Sequence, residues 1–236
     1  MHLNECFNTI VEKRRAVRSF SKDAPFDHTC VDRSIARAVL APSSNNMQLW
    51  QIFRVKSPLK LKELAYLCLN QRPATTAIEM VVFVCRYDLW KERADFNYKK
   101  ILELDKDNLD ELAYYKNTIP LIYSQYLFGL WGIIKKGVQS FKSLVEPSFQ
   151  ELSQNDLHII LHKSCALAAS TFMLSISAEG YDTCPMEGFD SRRVKKFLNL
   201  PSAAQICMII SVGPGDEFAV NTPRIRVALS DIYKEV

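Results

Sequence analysis

The chain has 236 residues, 48% of them hydrophobic and 24% charged, which suits one sizeable globular domain or two small ones. A formal net charge of +4 and a pI near 8.6 fall short of the balance of a dedicated nucleic-acid binder, so no nucleic-acid partner is expected and anionic small ligands suffice to explain local basic clusters. Seven scattered cysteines (Cys6, Cys30, Cys68, Cys85, Cys165, Cys184 and Cys207) include no Cys-x-x-Cys pair, which argues against a disulfide framework or zinc ribbon and for a reducing, cytoplasmic compartment.

Met1-His2-Leu3-Asn4-Glu5 has no basic region leading into an apolar run, so no signal peptide is expected. Residues 3–13 space Leu3, Phe7, Ile10 and Val11 at helical intervals. Arg14-Arg15-Ala16-Val17-Arg18-Ser19-Phe20 follows, with three guanidinium groups in five residues. Arginine grips phosphate through paired donors in a fixed fork, but a cluster of this kind, alone, is more often a solvated face. A second helix is expected from Asp27 to Ala41, stopped by Pro42.

Pro42-Ser43-Ser44-Asn45-Asn46-Met47-Gln48-Leu49-Trp50 reads as a turn. Its small hydrogen-bonding side chains beside a tryptophan also suit the polar edge of a planar ring. A strand is expected over Trp50–Val55, a helix from Ser57-Pro58 to about Leu69, and a strand buried on both faces over Glu79–Arg86. Asp88 opens a long charged helical stretch. Residues 119–134 are unusually apolar and aromatic, but too short and too interrupted by Pro120, Ser124 and Gln125 for a confident span. They read as a lid or core packing, with contact at a membrane surface as a lesser alternative.

Residues 155–179 form the strongest helix, with no charged side chain from Ser164 to Ala178, so it should be central. His158 and His162 on it have zincin spacing, but Ile159 stands where the glutamate base would be, and two histidines beside the core is the simpler account. Gly180 should cap the helix, and the stretch Tyr181–Asp190 leads to a helix over Ser191–Leu198. Gln205–Val212 reads as a buried strand, and the apolar tail carrying Arg224 and Arg226 should dock, with a second subunit as one candidate surface. The first glycine is Gly129, and neither G-x-G-x-x-G nor a Walker pattern occurs. Any phosphate must therefore be held by side chains.

Four stretches, in order, resemble one family. Arg14-Arg15-Ala-Val-Arg18-Ser-Phe20 resembles the Arg-Arg-Ser-x-Arg-x-Phe start of the nitroreductase-like flavoproteins. Pro42-Ser43-Ser44-x-Asn46-x-Gln48-x-Trp50 resembles their Pro-Ser-Ser-x-Asn-x-Gln-Pro-Trp signature. Gly180-Tyr-x-Thr-Cys-Pro185-Met-Glu-Gly188-Phe-Asp190 resembles their Gly-x-x-x-x-Pro-x-x-Gly-Phe stretch, and Arg224-Ile-Arg226 is similar to their C-terminal basic pair. The agreement runs from residue 7 to the end. Residues of about 88–152 depart from it and read as a family-variable helical insertion, a possible lid, within one domain spanning 1–236.

The resemblance implies an α+β fold, with a mixed, largely antiparallel sheet flanked by helices, in an intertwined homodimer with FMN at the subunit interface. By carry-over, Arg14, Arg15, Arg18, Arg224 and Arg226 would hold the phosphate and the pyrimidine side of the flavin. Ser43, Ser44, Asn46 and Gln48 would reach it from one subunit, and Pro185, Met186, Glu187 and Gly188 would line it from the other. Asn70 or Gln71 would touch the pyrimidine edge. Ala16 and Leu49 stand where the family has serine and proline, which removes one hydroxyl donor and loosens the turn. The implied activity is an NAD(P)H oxidoreductase acting on nitroaromatics, quinones or similar planar acceptors, with no catalytic side chain and no metal required. Reductive dehalogenation, flavin breakdown, and a non-catalytic flavin-binding or membrane-associated module are the alternatives.

Overall fold

The computed structural model describes residues 2–124, 154–220 and 222–236. Four strands, β1 (Trp50–Val55), β2 (Glu79–Arg86), β3 (Asp182–Met186) and β4 (Ala204–Gly213), form one sheet in the order β1-β2-β4-β3, every pair antiparallel. A parallel contribution comes from an isolated bridge between Ala16 and Thr183.

The two central strands carry apolar side chains on both faces, as strands covered on both sides must. Alternation then divides the interior. Val81, Phe83 and Cys85 of β2 and Ile210 and Val212 of β4 enter one core, with the long helix α8 (Gln154–Ala178) across it. Met80, Val82 and Val84 of β2 and Ala204, Ile206 and Ile209 of β4 enter a second core, under α3 (Pro58–Leu67), α4 (Arg72–Thr76) and α9 (Ser191–Phe197). The parity of β4 switches between Ile206 and Ile209 because the pairing skips a residue. Phe83 faces Met208 and Val84 faces Ile206, leaving Cys207 as the extra residue of a bulge.

The expected long helix is present and central. Its Cys165, Ala168, Ala169, Phe172 and Ile176 are fully buried, and α2 (Thr29–Ala38) packs along it, where the Ser175 hydroxyl donates to Ser34 Oγ at 2.9 Å. It is long and apolar enough to cross a membrane by composition, but here that composition builds a core. Gly180 ends it at φ +91°, with Tyr181 N–H donating to Ile176 O at 3.1 Å.

Several boundaries differ from expectation, for local reasons. Asp27 lies outside α2 and caps it, accepting from Thr29 N–H at 2.9 Å, while Val39–Ala41 close as tight turns ahead of Pro42. Helix α3 stops at Leu67 because Leu69 and Asn70 turn left-handed, at φ 60° and 52°. The charged stretch starts as a single turn over Tyr87–Leu89, and α5 runs Trp90–Leu104. Helices α6 (Leu109–Ala113) and α7 (Ile119–Tyr123) follow, with Ile119 and Tyr123 fully buried. The rest of the apolar 119–134 stretch, and of the expected 88–152 insertion through residue 152, lies outside the described residues apart from Ser124.

Strand β3 lay inside what read as a loop. Pro185 hides it, since proline is excluded from central strands, but β3 is the edge of the sheet, where its missing N–H costs no ladder bond. The free side of that edge accepts the arginine segment instead, through Val17 N–H to Thr183 O at 2.9 Å. The apolar side chains of the tail are left uncovered by the described residues of their own chain. Ile225, Val227, Leu229 and Ile232 are exposed, including those of the short α10 (Leu229–Ile232).

One buried charge holds β1, β2 and α2 together. The Glu79 carboxylate is wholly buried, takes donors from Arg54 Nε at 2.5 Å and Arg54 NH2 at 2.8 Å, and meets His28 Nδ1. Arg54 also reaches Asp32 at 2.6 Å. Removing one partner of a buried pair strands the other charge, at about 3–5 kcal/mol. Urea unfolding of Arg54→Ala should show a loss of that size, and Lys60→Ala, at an exposed pair with Glu63, should show little change. Equal effects would remove this pair from its structural role.

Candidate functional site

The two basic stretches meet. Helix α1 (Leu3–Lys13) ends where the arginine segment begins, and the tail returns across that end. Arg224 NH2 donates to Glu12 O and Arg14 O, both at 2.7 Å, and Arg15 NH2 donates to Thr222 O at 2.7 Å. Arg224 thus satisfies carbonyls at the α1 C-terminus, where cations are favoured. That gives it a tail-pinning role beyond the one expected for it. Burial, then the charges of Arg224, Arg226 and Arg15, push the Arg14 guanidinium below its ordinary pKa. Among the described residues, none of Arg14, Arg15, Arg18, Arg224 and Arg226 has a carboxylate partner within ion-pair distance. A cationic cluster held by backbone carbonyls, without counter-charges, is a donor set suited to a multivalent anion.

The segment's alternation aims these groups. Val17 and Phe20 bury into the second core, while Arg18 is exposed between them. Its backbone N–H donates to Ala219 O at 2.8 Å. Ser19, buried, donates to Asp216 Oδ2 at 2.5 Å and accepts from Arg72 Nε at 3.1 Å. Burial raises the pKa of the neighbouring Cys184 thiol, opposed by the positive charge of Arg18.

Strand β3 carries the expected lining residues away from this cluster. Pro185 is half-buried, Met186 is buried with its sulfur accepting from Ser211 Oγ at 3.8 Å, and Glu187 and Gly188 are exposed just beyond the strand. Only backbone is therefore on offer at Met186. Gly188 O accepts from Gln71 Nε2 at 2.6 Å, and a Cβ at Gly188 would lie 3.1 Å from that nitrogen. Gln71 is thus committed to positioning the loop, leaving exposed Asn70 as the side chain available for a ligand edge. A groove of about 750 Å³ opens beside Glu187 and Phe189 and passes His158, His162 and Cys207. Gln205 bridges the two histidines, at 2.8 Å to His162 Nε2 and 3.0 Å to His158 Nδ1.

The Ser43–Gln48 turn is held elsewhere. Asn45, Asn46 and Gln48 adopt left-handed φ of 55°, 50° and 48°. Ser43 Oγ accepts from Gln48 N–H at 3.0 Å, and Gln48 Nε2 donates to Asn46 Oδ1 at 3.1 Å. Ser44 N–H donates to Ser164 Oγ on α8 at 3.1 Å. Asn97 of α5 donates to Asn46 O at 2.9 Å, while Tyr114 and Tyr115 donate to the Asn45 side chain and carbonyl at 2.7 and 2.8 Å. These supports escaped the sequence reading. A buried asparagine in an amphipathic helix was the available signal at Asn97, whereas nothing local marks Ser164. Met47 and Leu49 fix the turn in the first core. Val17, Phe20, Cys184 and Met186, from the arginine segment and β3, enter the second. The two halves of the expected cradle are thus anchored in different cores, although α1 also meets α8, through Ser177 Oγ donating to Ile10 O at 3.2 Å.

The cluster predicts affinity for phosphate monoesters. Arg14→Ala should weaken binding of such an ester by about 1.5–3 kcal/mol, read by calorimetric titration, and added salt should weaken the native protein's binding. Salt-independent binding, unchanged in Arg14→Ala, would contradict this.

A model of the Nitroreductase family matches residues 11–120 and 146–214. Protein DrgA of Synechocystis sp. is 25% identical over 209 residues, covering 89% of this chain and 84% of the relative. NADH dehydrogenase of Thermus thermophilus is 26% identical over 210 residues, covering 89% and 87%. Among solved structures, a nitroreductase-fold protein from Exiguobacterium sibiricum in complex with FMN superposes with TM-score 0.66 at 20% identity, covering 98% of this chain and 97% of that one.

Proposed function

The chain is a member of the nitroreductase family, and from that premise we propose that it is an FMN-dependent NAD(P)H oxidoreductase reducing small planar acceptors such as nitroaromatics or quinones, working as a homodimer. The observation that carries this reading is the convergence of arginines from both chain ends, without carboxylate partners, beside the β3 edge. A structural relative was solved with FMN and a sequence relative is named an NADH dehydrogenase; both agree with it. All seven cysteines are free, which suits a reducing, cytoplasmic setting.

FMN would supply the hydride-accepting and hydride-donating chemistry, and the chain its orientation and electrostatics. Arg14, Arg15 and Arg226 would hold the phosphate, with Arg224 pinning the tail that presents Arg226. Arg18 would offer positive charge to the pyrimidine side, which favours a ring that gains negative charge. Pro185 to Gly188 would line the ring, with Gln71 fixing Gly188 O, and Asn70 would reach the pyrimidine edge. Ser43, Ser44, Asn46 and Gln48 would complete the cradle from the second subunit, their turn being anchored in a different core from the arginine segment. A second copy also covers apolar groups that one chain leaves exposed, namely Leu3 and Phe7 of α1 and Ile225, Leu229 and Ile232 of the tail.

The test is anaerobic addition of NADH or NADPH to the purified, FMN-loaded protein. The yellow absorbance should bleach with at least one donor and return when a quinone is added. A flavin that stays oxidised with both donors would overturn the oxidoreductase reading.

A further inference from the structure

The bulge in β4 builds a feature that the flavin site does not use. We propose that Cys85, Cys165 and Cys207 form a three-sulfur site for one thiophilic metal ion, of the monovalent copper class. Their sulfur atoms all lie within 4.8 Å of one another, although the residues come from β2, α8 and β4. The fold brings them together by a specific device. Cys85 faces Gln205 across the β2–β4 ladder, and the bulge leaves Cys207 unpaired. A bulge re-aims a side chain, and here the sulfur of Cys207 turns toward that of Cys85. Cys165 meets both from α8, in the core on that face of the sheet.

The geometry suits an ion and gives it a way in. A metal–sulfur bond of about 2.3 Å in a trigonal arrangement sets sulfur atoms roughly 4 Å apart, so the cluster needs only a small contraction. Cys85 and Cys165 are buried, whereas Cys207 is half-buried and lines the 750 Å³ groove. Access is therefore through Cys207. Thiolates select copper(I) and zinc among first-row ions. A structural zinc site needs four ligands, and among the described residues no histidine, aspartate or glutamate lies within that spacing of all three sulfurs; His162 lies beside Cys207, its carbonyl accepting from Cys207 Sγ at 3.8 Å, but its Nε2 is engaged by Gln205. Three soft ligands without a fourth point to copper(I). Binding changes no oxidation state. Each sulfur that bonds the ion releases its thiol proton to solvent. The bound ion would clamp β2, β4 and α8 behind the groove.

The test uses the full chain, reduced and oxygen-free, titrated with copper(I) in acetonitrile against a chromophoric copper(I) chelator. One equivalent should be taken up per chain, with proton release and X-ray absorption showing a sulfur-only first shell of three. Cys207→Ser, at the least buried of the three positions, should bind more than about 100-fold more weakly, since loss of an outer-shell partner alone costs about 10–100-fold, and Cys6→Ser, on α1 outside the cluster, should match the native chain. The absorption spectrum gives a readout that needs no variant to fold. No uptake against the chelator, equal uptake by Cys207→Ser, or preference for zinc over copper(I) in competition would each overturn the proposal.

Discussion

The antiparallel pairing of β2 with β4 is the constraint on which the rest of this molecule depends. Both strands are buried on both faces, so their alternating side chains split the interior into two cores. Whatever anchors in one core is committed to one side of the sheet. Met47 and Leu49 anchor the serine- and asparagine-rich turn in the core under α8, and Val17, Phe20 and Met186 anchor the arginine segment and β3 in the other. A one-residue slip would exchange the faces. The only departure in register between these strands, at Cys207, therefore changes which side chains meet across the adjoining core.

The basic cluster is held in place by backbone. Carbonyls at the end of α1 and in the tail accept from Arg224 and Arg15, while the arginine segment itself hangs on β3 through Thr183. Burial and mutual repulsion act on Arg14, and a bound dianion would relieve the repulsion. Electrostatic preorganisation of this kind leaves little to rearrange when the ligand arrives.

Much of this was legible before the coordinates. The apolar runs at Glu79–Arg86 and Gln205–Val212 read as buried strands because no charged residue interrupts their interiors. The uncharged span Ser164–Ala178 read as a central helix for the same reason. The arginine segment, the turn and the Pro-Met-Glu-Gly loop stood out by residue type, and the family match spans all three. Other features depend on tertiary placement. Strand β3 was masked by Pro185, which is tolerated only because the strand is an edge. Gln71 and Asn97 act by holding backbone that belongs to distant segments. The cysteine cluster joins residues 85, 165 and 207, with no spacing signature, through a bulge that periodicity does not reveal.

The central proposal is that a working site needs two chains, one presenting the arginine cluster and the other the Ser43–Gln48 turn, which are anchored in different cores of one chain. Subunit complementation tests it most directly. One variant would lose the arginine half, through Arg14→Ala with Arg226→Ala, and the other the turn, through Ser44→Ala with Gln48→Ala. Neither should retain FMN alone. Co-expression should restore flavin binding, because the mixed dimer pairs the intact arginines of one chain with the intact turn of the other. Mixed dimers that form and still bind no flavin would contradict the account.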